Sequence, residues 1–136
     1  MPSAKTGDVF LYSYLWAREH DRGEESGRKA RPACVMVLFK DSKGRETTLL
    51  FPVTSQKPGP EAHAIEIPET EARRARLYSP AWIIVSEFNV DDLAKSFALE
   101  DSQPLGTFSG KFMAMVASRA ASVMRAGVSR SAPRGS

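Results

Sequence analysis

The chain has 136 residues, 42% of them hydrophobic and 26% charged, which fits one globular domain and excludes bulk disorder. A single cysteine, Cys34, rules out an intrachain disulfide, and with only His20 and His63 besides there is no Cys/His cluster for structural zinc. The net charge is +3, yet residues 1–126 carry 17 basic against 16 acidic groups, so any anion-binding surface must come from local clustering.

At the N-terminus Asp8 interrupts what would be the apolar stretch of a secretory signal. No apolar run approaches the roughly 18 residues of a membrane span, so a cytoplasmic protein without membrane contact is expected. Val9–Trp16, rich in aromatics, predicts a first strand. Ala33–Phe39 predicts a second, apolar on both alternating faces and therefore central in a sheet or barrel wall. Asp41-Ser42-Lys43-Gly44 is a turn leading to a third strand, Thr47–Phe51. Pro52 cannot donate to a ladder and is expected to interrupt that strand at an edge or bulge. Lys57-Pro58-Gly59-Pro60 makes a loop, and Ala64–Ile67 alternates as a short strand stopped by Pro68. Glu69–Arg76 has room for one or two helical turns, and Trp82–Phe88 predicts the last strand.

Helical spacing comes late. Phe112, Met115, Val116, Ala120, Val123 and Met124 form one stripe, with Ser109 placed to cap the start and Gly127 the end. Residues 1–127 are therefore expected to form a single domain, mainly β with a C-terminal helix. Residues 128–136, small, polar and Pro-containing, are expected to be a disordered tail.

Several pieces recur in a fixed order: Gly7-Asp8-Val9 opening the first strand, a charged loop, and Arg31-Pro32-Ala33 opening the second. Phe51-Pro52-Val53-Thr54-Ser55-Gln56 closes the third, Trp82-Ile83-Ile84-Val85 forms the late strand, and Leu105-Gly106-Thr107-Phe108 precedes the helix. Over residues 7–125 this order and spacing resemble the MazF/PemK ribonuclease toxins. The resemblance implies an SH3-like small β-barrel, a homodimer and a cognate antitoxin partner. It also implies cleavage of single-stranded RNA without metal or other cofactor. The family's catalytic arginine falls on Arg31 and its catalytic threonine on Thr54. The loop 17–30 and Tyr14-Leu15-Trp16 depart from the family pattern, which leaves the RNA sequence preference open.

The residue types suit that chemistry. Attack of a ribose 2′-OH on its phosphate builds charge that a planar guanidinium meets bidentately. Arg31 precedes a proline, which biases it toward an extended strand entrance. The Thr54 hydroxyl can donate and accept, which suits positioning and relay better than proton abstraction. Arg28 and Lys29, in a loop with five cations and four carboxylates over residues 18–31, are candidate phosphate contacts. Ser55 and Gln56 are candidate RNA contacts beside Thr54, and Trp16 is a candidate base-stacking surface. His20 and His63 would allow a rival acid–base pair. Cys34, inside an apolar run, reads as a buried hydrophobe, and Arg73-Arg74-Arg76 as a solvated face. The alternative function is a catalytically silent barrel of the same kind that binds RNA or a protein partner.

Overall fold

A computed structural model describes residues 5–18, 30–38, 47–91 and 103–133. The elements in chain order are β1 (Asp8–Tyr12), β2 (Arg31–Val37), β3 (Thr48–Thr54), β4 (Ile65–Glu66), α1 (Glu69–Arg74), β5 (Trp82–Ile83), β6 (Glu87–Asp91), β7 (Gly106–Thr107), α2 (Gly110–Arg125) and β8 (Arg130–Pro133). The sheet runs β4-β5-β3-β2-β1-β7 with antiparallel neighbours, and β6 joins the other half of β3. It is a curled half-barrel with one long C-terminal helix. The expected turn at 41–44 and Phe39 lie outside the described residues.

β2 sits between β1 and β3 and is buried on both faces, as its unbroken apolar run predicts. Cys34 and Met36 join Val9, Phe51 and the α2 side chains in the main core. Ala33 and Val35 join Phe10, Tyr12, Tyr14 and Leu50 in a second cluster.

Pro52 does not interrupt β3, which runs on to Thr54. In an antiparallel strand a residue's N and C=O face the same side. The Pro52 carbonyl accepts from Ile84 N–H at 3.0 Å, so its missing donor faces away from β2. It falls where β3 exchanges one neighbour for another: β6 opposes residues 48–50, and β5 opposes Val53 and Thr54. The β2–β3 ladder therefore loses no bond at Pro52. The same exchange divides the strand expected over Trp82–Phe88. Between Ile83 and Asn89 five residues stand opposite only Phe51 and Pro52, so the chain leaves the ladder there and the expected strand splits into β5 and β6.

Helix α2 is capped as expected. Ser109 Oγ accepts from Phe112 N–H at 3.1 Å, and Gly127, at φ +74°, donates its N–H to Met124 O at 3.0 Å. Its buried face differs by a small rotation. Phe112, Met113, Val116, Ala120 and Val123 are buried, while Met115 and Met124 are 43% and 37% exposed. Met113 takes the core place, with its sulfur 3.7 Å from Cys34 Sγ on β2.

The segment expected as a disordered tail supplies β8. Arg130–Pro133 runs parallel to β6 with Asn89 level with Ala132, and Arg130 N–H donates to Ser86 O at 2.8 Å. Small polar residues read as a tail by composition, but ladder pairing is made by the backbone and needs no apolar side chain. Residues 134–136 lie outside the described part.

Candidate functional site

β2 begins and β3 ends at the same rim of the sheet. Their last registered pair is Ala33 with Pro52, and two residues further along each strand stand Arg31 and Thr54. Arg31 is flanked on its other side by Tyr12 of β1, and Thr54 by Trp82 of β5. Both line one cleft of about 1240 Å³. The two residues picked as catalytic from the sequence thus share one wall of a cavity.

Arg31 is half-buried, its guanidinium carbon 5.1 Å from the Trp16 ring centroid. That contact sets the cation against the π face of the ring. Its Nε is buried and has no hydrogen-bond partner among the described residues. A buried donor without an acceptor is costly, and an incoming anion would satisfy it. Arg18 stacks on Trp16 at the same 5.1 Å.

Trp16 is fixed from β6. Asn89 grips the backbone of Leu15 at both ends, Oδ1 accepting from N–H at 2.8 Å and Nδ2 donating to O at 2.7 Å. Glu87 Oε1 accepts from Tyr14 OH and from Ala17 N–H, each at 3.0 Å. Asp91 accepts from Tyr12 OH at 2.6 Å. The Tyr14 and Trp16 rings meet edge-on, 5.1 Å apart. Burial, reinforced by the Glu87 carboxylate, holds the Tyr14 phenol protonated well above its ordinary range.

Thr54 is half-exposed, and its hydroxyl closes the turn that follows β3: Oγ1 accepts from Gln56 N–H at 3.1 Å and lies 3.4 Å from Gln56 O. Ser55 and Gln56 are exposed on that turn and also line the cleft. His63 lines it from another side, at φ +49°. Arg28, Lys29 and His20 lie outside the described residues, and so does the His20–His63 pairing.

Other parts of the wall escaped sequence reading. Lys57, Arg76 and Arg130 join Arg18 and Arg31, so among the described residues five cations line the cleft against two carboxylates, Glu61 and Glu87. Arg18 and Arg31 bracket the charged 18–31 loop and Arg76 belongs to the Arg73-Arg74-Arg76 cluster expected as a solvated face, so the sequence showed these cations but not that they meet Lys57 and Arg130 at one cleft. Tyr78, also on the rim, is separated from Thr54 by 24 positions. Cys34 is no candidate nucleophile: burial, with the nearby Asp8, pushes its thiol pKa up, and the thiol lies in the core. Among the described residues no three His, Cys, Asp or Glu side chains converge as a metal site would need, and no helix is long and apolar enough to cross a membrane.

No protein-family model matches the chain, and no curated protein sequence matches it. Its coordinates are similar to those of a solved endoribonuclease in complex with its cognate antitoxin from a mycobacterial species, with a TM-score of 0.58 and 10% sequence identity. The alignment covers 90% of this chain and 96% of that one, so the two share a fold across nearly their whole length.

Proposed function

We propose that the chain is the toxin of a toxin–antitoxin pair, an endoribonuclease of the MazF/PemK type that cuts single-stranded RNA. The curled sheet with its closing helix is then the family's SH3-like barrel, acting as a homodimer in the cytoplasm. Reaction begins when a ribose 2′-oxygen attacks the adjacent phosphorus and gives up its proton. The P–O5′ bond breaks, and the 5′-oxygen takes up a proton as it leaves. The products are a 2′,3′-cyclic phosphate and a free 5′-hydroxyl, and neither metal nor another cofactor takes part. Arg31 stabilises the charge on the non-bridging oxygens. Thr54 uses one lone pair on Gln56 N–H, which aims its O–H toward the same phosphate in place of the long contact to Gln56 O.

The observation that carries this reading is the Arg31 guanidinium, stacked on Trp16 with an unpaired buried Nε–H, at the wall where Thr54 also stands. The shared fold with an endoribonuclease supports it. The inhibitory partner is an acidic antitoxin segment that orders on binding over the same cations. Arg28, Lys29, Ser55 and Gln56 complete the RNA path, with Trp16 offering a ring to a base.

The local use of the Thr54 hydroxyl favours a second reading, a barrel that binds RNA and does not cut it. One experiment separates the two. Wild type should cleave a single-stranded RNA in EDTA, and Arg31→Ala should lower that rate about 100- to 1000-fold with unchanged thermal unfolding. RNA binding without cleavage by the wild type would favour the silent barrel.

A further inference from the structure

Tyr78 is 95% exposed, the most exposed large apolar side chain among the described residues, and it stands on the rim of the cleft. It makes no hydrogen bond or ring contact with any described residue. A bulky ring left in water on a loose loop would carry little meaning, but this backbone is anchored on both sides. Before it, α1 ends in a left-handed turn: Arg76 has φ +58°, Leu77 N–H donates to Ala72 O at 2.8 Å, and Leu77 packs on the core. After it, buried Ala81 accepts from Ile67 N–H at 2.9 Å through its carbonyl. The chain therefore turns Leu77 inward and presents the next ring to solvent.

Its position relates to the proposed chemistry. Tyr78 precedes Trp82 by four residues, a span of at most about 14 Å when extended, and Trp82 pairs with Thr54. Tyr78 and Thr54 therefore line one cleft with a short stretch of chain between Tyr78 and the strand that pairs with Thr54. Arg76, two residues away, also lines the cleft and supplies a cation for a neighbouring phosphate. An aromatic ring and a guanidinium on one cleft wall, two residues apart in the chain, match one nucleotide unit of a single strand, base and phosphate together.

We infer that Tyr78 forms a stacking subsite for an unpaired base flanking the scissile phosphate. The inference rests on the RNA reading of the cleft. The ring holds that base by its face, so it is a binding residue, contributing to affinity in ground and transition states alike.

The test uses the full chain and a short single-stranded RNA made uncleavable by one 2′-deoxyribose, scanned with a single abasic nucleotide. Tyr78→Ala should weaken binding of the intact oligomer about 5- to 100-fold. Tyr78→Phe and Tyr78→Trp should stay near wild type, since stacking needs the ring and not the hydroxyl. One abasic position should cost the wild type a similar factor and cost Tyr78→Ala almost nothing. On cleavable RNA, Tyr78→Ala should raise KM and leave kcat within a few-fold. Equal binding by wild type and Tyr78→Ala, or equal losses for both proteins at every abasic position, would overturn the subsite. A tyrosine that instead meets a protein partner gives that same negative result. Should the abasic pattern appear while the cleavable RNA survives intact, the subsite stands and the nuclease reading falls. Should cleavage occur with Tyr78→Ala unaltered in KM, the reverse holds.

Discussion

A lysine in place of Arg31 would bring the same charge to the cleft wall but not the same shape. A guanidinium can lie flat on Trp16 and still present its edge to two phosphate oxygens, whereas an ammonium is a compact point charge with neither property. Arg31→Lys should therefore retain RNA binding within a few-fold and lose most of the cleavage rate. Equal turnover in the two proteins would separate Arg31 from the chemistry. Thr54 has two duties that substitution can divide. Thr54→Ser keeps the hydroxyl for both the Gln56 turn and the phosphate, and should keep measurable activity. Thr54→Val removes both and should cost about 1 kcal/mol of stability along with the activity, read by thermal unfolding and single-turnover cleavage. The positions of these two residues, a pre-proline arginine at a strand entrance and a threonine closing a strand, were legible in the sequence, while the roles proposed for them came only from the family resemblance.

The elements show where that legibility ends. β6 alternates Glu87, Asn89 and Asp91 with Phe88 and Val90, a pattern that ordinarily turns its polar side to solvent. Here the apolar pair packs on the main core, and Asn89 and Asp91 on the polar side are buried beneath residues 12–17. The contacts that cover them join positions more than 70 residues apart, beyond any local window. The same limit hid the end of β1, where Tyr14–Ala17 leave the ladder to reach β6. Pro52 misled for a related reason, since its harm depends on which neighbour faces its nitrogen. Asn89→Ala should strand the Leu15 N–H and C=O in a dry site. The expected loss is about 2–4 kcal/mol by denaturant unfolding, with fast amide exchange at Leu15. Unchanged protection of that amide would mean water replaces the side chain at no cost.

At the scale of the whole molecule, α2 and β8 close the half-barrel from one end of the chain. β8 pairs with β6, which also carries the Asn89 and Glu87 grips on the Trp16 segment. A chain ending at Val128 should thus lose about 1–3 kcal/mol and also bind RNA more weakly, through slackening of the Arg31–Trp16 stack. Full binding with reduced stability would confine β8 to a packing role. Stability should also depend on alkaline pH in a definite sense. Tyr14 and Cys34 are both held neutral in the fold by burial, their pKa values raised above the ordinary 10.0 and 9.0. Above those ordinary values the unfolded chain gives up protons that the folded chain keeps, so stability falls as pH rises through 9 and 10. Below them the contribution is fully present. Tyr14→Phe should flatten the fall above pH 10 in denaturant midpoints, and an unaltered slope would show that the phenol ionises as freely in the fold as outside it.

The activity predictions rest on the proposal that in this cleft an RNA 2′-hydroxyl attacks its own phosphate. Two single-stranded RNAs of identical sequence, one with 2′-deoxyribose at the cut site, should be incubated with the protein in EDTA and the product ends determined. The all-ribose strand should yield a 2′,3′-cyclic phosphate and a 5′-hydroxyl while its deoxy counterpart remains whole. Cleavage of both strands, or products ending in a 5′-phosphate, would contradict the mechanism and point to an activated water as nucleophile.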